Sequence, residues 1–269
     1  MRITIIIYAF FSIFFIQELH AQECKYSEYY SLTDVARKHF FKKNYKDAKK
    51  IFKLAFSKID FPHGHDLSFA LVSAIKTKDN FWAREIAEKL AKGGIPLRYF
   101  AKYKKEKWYK EFQAEFESYS KYYDENFNEE LRQQIISLLK KDIEDNEKYH
   151  KWRTHEIEMS LDELIAGPSE ILSDFEQIIK KHGFPNERLV GYNYILKKNV
   201  VEPYNIELLL VHIYQRGVFF LKNDIANIIC DGGLAPNYEE ILQQIQKFSV
   251  EHGIEKEMKE RYIKYRGRE

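Results

Sequence analysis

The sequence predicts an all-α fold in which helical-repeat hairpins are followed by a second helical domain. Apolar residues recur at the spacing of one helix face in most of the chain, for example at Ala48, Phe52 and Ala55. A similar pattern returns about 35 residues later, at Ala83 and Ala87, and a repeat of this length is typical of stacked helix pairs. The third observation is a set of helix start and stop signals that divides the second half of the chain into further helices.

Composition and charge restrict the class of protein. The chain has 269 residues, of which 45% are hydrophobic and 31% charged, and this excludes collagen-like and wholly disordered proteins. A formal net charge of +2 is too balanced for a protein that mainly neutralises phosphates, so we expect no nucleic-acid partner. The charge is uneven, because residues 22–110 are strongly basic and residues 111–176 strongly acidic. These segments could dock on each other or face partners, although solvated helix faces are the simpler interpretation.

Residues 1–21 have the pattern of a secretory signal peptide. Arg2 provides a positive start, an apolar run extends from Ile5 to Ile16, and Ala21 is a small residue at the expected cleavage point. As a helix this run is roughly 18 Å long, well short of a hydrocarbon core of about 30 Å. We therefore expect cleavage after Ala21 and export to the periplasm or the extracellular space, without a stable membrane span. A retained anchor is the alternative.

Two cysteines, Cys24 and Cys230, remain after the expected cleavage. An oxidising compartment allows them to form a disulfide but does not require it. Cys24 lies close to the expected new N-terminus, whereas Cys230 follows an apolar stretch. The simpler interpretation is one exposed and one buried free cysteine, and the disulfide stays open as the alternative.

Residues 22–123 are predicted to form the helical repeats. Within each predicted pair a polar break, at Asn44 or Asn80, separates two apolar helix faces. Gly94 and Pro96 end the second pair. A further helix has five aromatic residues on one face, which we expect to cap the repeats: Trp108, Phe112, Phe116, Tyr119 and Tyr123.

Residues 29–95 resemble the tetratricopeptide repeat, a helix pair that meets at small residues and one large aromatic. The resemblance places Ala36 and Ala48 at the close helix contact, Tyr45 at the turn and Phe52 as the aromatic plug. It implies that the first helix of each pair lines a groove for an extended peptide.

In this chain such a groove would be basic, since Arg37, Lys38 and Lys42 belong to the first predicted helix or its end. The resemblance therefore implies an exported adaptor or scaffold that binds an acidic or extended peptide segment of a protein partner through these three residues. Pure scaffold packing is the alternative interpretation of the same helices.

A polar break at residues 124–128 separates the repeats from a second helical domain at 129–250, and a charged helix or tail follows at 251–269. Asn128 is a predicted N-cap, with acidic residues in the first turn behind it. The boundary between the two predicted domains is therefore also a helix start.

The helices of the second domain have signals of different strength. Pro168 is expected near the start of a helix that ends at the sequence HGFP of 182–185, where Gly183 takes the cap position. Residues 189–196 fit either a short strand or a helix start. Residues 206–221 are predicted to form one central buried helix, and residues 238–248 an amphipathic one.

The second domain, over about residues 131–248, resembles an uncharacterised bacterial domain of unknown function. The residues that carry this resemblance are HGFP at 182–185, LVG at 189–191, a helix with His212 and a glycine at 233. Members of that family usually carry an Asp-Arg pair in the last helix, where this chain has two glutamines. The resemblance implies a family without a known function.

Few residues indicate chemistry, and no cofactor is predicted. His182 and His212 are candidate catalytic residues of a hydrolase-like enzyme in a cleft of the C-terminal domain, which is the alternative function. A buried imidazole bound to an aspartate is the structural interpretation of His212. His63, His65 and Asp66 are candidate ligands for a transition metal, although Asp66 is also placed to cap the next helix.

Overall fold

The computed structural model describes residues 24–253, which form an all-α fold. These residues contain twelve α-helices, one short 3-10 helix and one two-stranded β-hairpin, so the predicted fold class is confirmed. The predicted signal peptide with its cleavage after Ala21, and most of the predicted tail at 251–269, lie outside the described residues. Among the described helices, none combines the length and the apolar character that crossing a bilayer requires.

The first half begins with two helix pairs, and their small residues and aromatics are buried as their spacing predicts. Ala36, Ala48, Phe52 and Ala55 have no exposed surface. Asn44 caps one helix by accepting the N–H of Asp47, and Asp79 caps another by accepting the N–H of Trp82. The pairs are α1 (Lys25–Phe41) with α2 (Tyr45–Phe56), and α3 (Gly64–Lys76) with α4 (Asn80–Lys92).

An aromatic helix closes the first half, as predicted. The short α5 (Leu97–Phe100) and the 3-10 helix (Ala101–Tyr103) lead into α6 (Tyr109–Asn126), which packs on α4. Phe112 of α6 is fully buried, and its ring centroid lies 4.8 Å from that of Phe100. Because α6 continues to Asn126, the polar break predicted at 124–128 narrows to two residues.

Two long helices begin the second half: α7 (Glu129–Arg153) and α8 (Leu161–His182). Asn128 caps α7 by accepting the N–H of Leu131 at 2.9 Å, as predicted. The prediction that Pro168 lies near the start of α8 was wrong, because Ser160 and Glu163 form a capping box a full two turns earlier. Pro168 is therefore inside the helix.

The next segment is irregular and is followed by three shorter helices. Residues 189–196, for which strand and helix were both open, contain the end of α9 (Glu187–Val190) and the strand β1 (Tyr194–Ile195). β1 pairs antiparallel with β2 (Val200–Val201), with Tyr194 opposite Val201. The remaining elements are α10 (Ile206–Gln215), α11 (Ile225–Cys230) and α12 (Asn237–Glu251).

The prediction of one helix over residues 206–221 was wrong in its length. α10 ends at Gln215, and Gly217 then takes a φ of +75°, which continues the chain in a turn. The part that is helical is central and buried, as predicted, with Leu210 and Tyr214 almost without exposed surface.

The two halves have separate cores, but one segment of the second half enters the first core. Tyr192 follows α9 and is 2% exposed among residues of the first core. Its N–H donates to the carbonyl of Gly93 at 2.7 Å, and its hydroxyl donates to the carbonyl of Pro62 at 3.1 Å. A Cβ added at Gly64 or Gly93 would overlap the Tyr192 ring, so both glycines are required by this close approach.

A disulfide between Cys24 and Cys230 also joins the two halves. The interpretation of two free cysteines was wrong, because the start of α1 packs against α11 and brings the two Cα atoms to 4.7 Å. Tyr26 fills the same contact, since its ring occupies the space where Gly232 lacks a side chain. The two halves are therefore linked covalently as well as by packing.

A candidate binding cleft at the junction of the two halves

A cleft of about 630 Å³ lies between the two halves. We call it the junction cleft. One wall is formed by α1 and the start of α3, and the other by the start of α9, residues 203–207 and residues 232–238. Its side chains are mostly polar, and they include Tyr30, Asp34, Arg37, His63, His65, Asp66, Glu187, Tyr204, Glu207 and Tyr238.

The sequence of α1 explains how the first wall forms. Ser27 lies three or four residues before the adjacent pair Tyr30 and Ser31, and Asp34 follows that pair at the same spacing. The four residues therefore lie on one side of the helix and line the cleft together. Tyr29, one position from this stripe, points instead into the protein and is fully buried. A single helix therefore supplies both the cleft surface and the buried support behind it.

Asp66 is the buried hydrogen-bond acceptor behind this wall of the cleft. It is 2% exposed, and its carboxylate accepts a hydrogen bond from the Tyr29 hydroxyl at 2.7 Å and one from Arg37 Nη1 at 2.5 Å. Arg37 also contacts Asp34. These two carboxylates outweigh the effect of burial and raise the pKa of Arg37. The positive charge of Arg37 is therefore already matched by residues of the chain itself.

His63 is held at both ring nitrogens. Nε2 lies 2.9 Å from the hydroxyl of Tyr30, and Nδ1 lies 3.2 Å from Glu187 Oε2. The same Glu187 oxygen accepts the N–H of Gly64 at 2.9 Å, which is a free donor of the first turn of α3. Burial opposes the charge on His63, but the bond to Glu187 and its negative charge outweigh burial and raise the pKa of His63.

Glu207 is the carboxylate of the junction cleft that lacks an ion pair. It lies in the first turn of α10 and is partly buried. Among the side chains that the structure describes, no lysine, arginine or histidine lies within 4.0 Å of its oxygens. Burial raises the pKa of Glu207, and the hydrogen bond to its own backbone and the charge of His63 offset only part of this effect.

The predicted peptide-binding residues lie in different places. Arg37 lines the junction cleft, but it is occupied by Asp34 and Asp66. Lys38 and Lys42 are exposed at the end of α1 and do not line the cleft. Of the three predicted residues, Arg37 lines the junction cleft and the two lysines lie outside it.

The predicted metal ligands also have other partners. The described part of the chain contains no group of three His, Cys, Asp or Glu residues placed to hold a metal ion. His63 and Asp66 are hydrogen bonded as described above, and the ring of His65 packs edge-on against Phe69 with the centroids 4.5 Å apart. Burial lowers the pKa of His65. The expectation that Asp66 caps α3 was wrong, since His63 precedes the helix and Asp66 lies inside its first turn.

The two candidate catalytic histidines lie outside the junction cleft. His212 Nδ1 is 2.7 Å from the buried carboxylate of Asp142 and also contacts Asn146, which matches the structural interpretation of a bonded histidine. His182 lies at the end of α8 and lines a shallow groove with Lys141 and Asp174. His212 does not line that groove, so the structure does not bring the two imidazoles into one cleft.

Tyr30, Glu187, Glu207 and Tyr238 belong to the cleft but have no motif that sequence reasoning could use. The His63–Glu187 contact joins residues 124 positions apart, and no local spacing predicts it. The one available signal was the polar sequence HGHD at 63–66, whose residues do reach the cleft.

Comparison with known proteins adds no family to this description. No family model, no curated protein and no solved structure matches the chain. The resemblances to the tetratricopeptide repeat and to the uncharacterised bacterial domain therefore stay predictions, and the function is argued from the junction cleft.

Proposed function

We propose that the protein is an exported binding protein, an adaptor or scaffold, that holds an extended peptide segment of a protein partner in the junction cleft. The observation that carries this proposal is the position of the cleft. It opens along α1 and the start of α3, the first helices of the two pairs, and the second half supplies the opposite wall. Its volume lies within the range of about 300 to 1,000 Å³ that is usual for ligand sites.

The state of the polar groups supports binding more than catalysis. His63 is bonded between Glu187 and the hydroxyl of Tyr30, so its ring is held as part of the cleft wall. Burial raises the pKa of Tyr30, which keeps its hydroxyl protonated and makes it a poor nucleophile. The alternative function, a hydrolase-like enzyme with His182 and His212, lacks a shared cleft for these residues.

The same contacts bear on the kind of segment that fits. An acidic segment needs a free cation, but Arg37 is taken by Asp34 and Asp66, and Lys38 and Lys42 lie elsewhere. Of the two kinds of segment that the sequence suggested, acidic or extended, the cleft therefore favours an extended one that is not acidic.

The proposal is tested by photo-crosslinking in the cell of origin. A photoreactive phenylalanine derivative replaces Ser31, an exposed residue on the cleft side of α1, and in a matched control it replaces the exposed Lys140 on α7. We expect Ser31 to give crosslinks to a short linear segment of a defined partner, identified by mass spectrometry, and Lys140 to give none. The same products from both positions, or none from Ser31, would contradict binding in the cleft.

A further inference from the structure

Three of the four carboxylates of the junction cleft lie within ion-pair distance of a basic side chain. Asp34 and Asp66 share Arg37, and Glu187 is paired with His63. Glu207 is the remaining carboxylate of the cleft, and no cation of the described chain pairs with it. A partly buried carboxylate without an ion-pair partner costs free energy. Binding a ligand that brings a positive charge next to it offsets that cost.

Aromatic side chains surround this carboxylate. Tyr30, Tyr204 and Tyr238 line the cleft with Glu207. Tyrosine rings attract cations through their faces and pack well against the aliphatic stem of a long basic side chain. Carboxylate and tyrosines together match an ammonium or guanidinium group.

An anionic ligand has weaker support, although helix N-termini open on the cleft. The N-terminus of α3 already receives the carboxylate of Glu187 at Gly64. In α10 the first turn contains Glu207 itself, so an anion placed there would meet a negative side chain. At the start of α12 the N–H groups of Tyr238 and Glu239 are already bonded to the carbonyls of Ala235 and Pro236.

We propose that the junction cleft recognises a lysine or arginine side chain of the bound peptide, whose cationic head pairs with Glu207 in the part of the chain's surface that Tyr30, Tyr204 and Tyr238 also line. This inference rests on the proposed function, because it names the residue type that an extended segment presents to the cleft. Tyr30 and Glu207 are then specificity-determining residues, and the opposite charge of an acidic segment is rejected.

The test uses fluorescent peptides with a Gly/Ser backbone and one central residue, which is lysine, arginine, norleucine or glutamate. Binding to the purified protein is measured by fluorescence anisotropy. A charged hydrogen bond in a partly buried site corresponds to about tenfold or more in affinity. We expect the lysine and arginine peptides to bind at least about tenfold more tightly than the norleucine peptide, and the glutamate peptide most weakly.

Two variants and one control test whether the preference for a basic side chain depends on Glu207. Glu207→Gln keeps the shape of the side chain and removes its charge. It should lower the affinity for the lysine peptide to that for the norleucine peptide and leave the affinity for the norleucine peptide unchanged. Glu144→Gln, at an exposed position on α7, should change neither. Circular dichroism and the melting temperature show whether each variant is folded, and Tyr238→Phe provides a second variant that should keep the lysine preference.

The outcomes separate the two proposals. Equal binding of the lysine and norleucine peptides, unaffected by Glu207→Gln, would overturn the basic side chain as the recognised group and leave the peptide cleft standing. Binding of none of the peptides would overturn both. Tighter binding of the glutamate peptide would show that the cleft selects an acidic segment instead.

Discussion

His63 has its two ring nitrogens in hydrogen bonds to opposite walls of the junction cleft, Tyr30 on one side and Glu187 on the other. The pKa of His63 therefore depends on whether the two halves are in contact. Its pKa is raised by Glu187 against the effect of burial. A group whose pKa is raised on folding stabilises the folded state below its unfolded pKa, and this stabilisation is lost as the pH rises through the folded value.

Glu187→Gln should lower the pKa of His63, because the amide removes the negative charge but can still accept the N–H of Gly64. The expected loss of stability is on the order of 1 kcal/mol below about pH 6, where unfolded histidine is charged, and it shrinks as the pH rises through the folded pKa of His63. Urea unfolding across this pH range measures the difference, and the His63 ring proton followed by NMR gives the pKa.

Glu144→Gln is the matched control, because its carboxylate pairs only with Lys140 on the surface of α7. It should leave both the His63 titration and the pH dependence of stability unchanged. A stability difference between Glu187→Gln and the unmodified protein that grows with rising pH would have the wrong sign for the proposed pairing.

At the scale of elements, the segment between α9 and β1 is the part that fastens the halves together. Tyr192 is buried in the first core although it belongs to the second half of the chain, and Gly64 and Gly93 leave the space for its ring. The hydroxyl of Tyr192 bonds a carbonyl 130 residues away in sequence. The segment thus holds the two halves together by packing the Tyr192 ring into the first core.

Tyr192→Ala should destabilise the protein by roughly 3 to 5 kcal/mol, because it removes a large buried ring and leaves a cavity in the first core. Tyr192→Phe keeps the ring and loses only the hydrogen bond to Pro62, so its expected cost is about 1 kcal/mol. Urea denaturation of both variants gives the two free energies of unfolding. Equal losses would mean that the hydroxyl, rather than the ring, fastens the segment.

The sequence predicted the elements that depend on residues within a few turns of each other. It did not predict the contacts between residues that are far apart in the chain. The Asn128 cap and the aromatic face of α6 were predicted, because a cap or a helix face involves residues within a few turns. The start of α8 was missed because the prediction placed Pro168 near it. Ser160 and Glu163 cap this helix two turns earlier. Tyr192 carried no signal, because its importance depends on two glycines far away in the chain.

At the scale of the molecule, the uneven charge of the sequence is partly used within the fold. Arg84 of the basic segment bonds Glu111 and Glu115 of the acidic segment, where α4 packs on α6. Internal docking of the two segments therefore occurs at this contact. The groups around Arg84 are half-exposed, so the contribution of such pairs to stability is small.

The disulfide joins the two walls of the junction cleft close to its lining residues. Cys24 directly precedes α1 of the first wall, and Cys230 lies two residues before Gly232 of the opposite wall. The bond closes a loop across a sequence separation of 206, and closing so long a loop removes unfolded-state entropy worth up to about 5 kcal/mol. Since the contact between the walls also includes Tyr26, partial closure should persist without the bond.

The Cys24→Ser, Cys230→Ser double variant should therefore fold, melt at a lower temperature and lose about 2 to 5 kcal/mol of stability. Dithiothreitol should lower the melting temperature of the unmodified protein toward that of the variant and leave the variant unchanged. The same variant should bind the lysine peptide more weakly, because a cleft whose walls move must be ordered again when the ligand binds. Unchanged affinity together with reduced stability would mean that packing alone, through Tyr26 and Tyr192, sets the geometry of the cleft, and the disulfide would then act on the unfolded chain only.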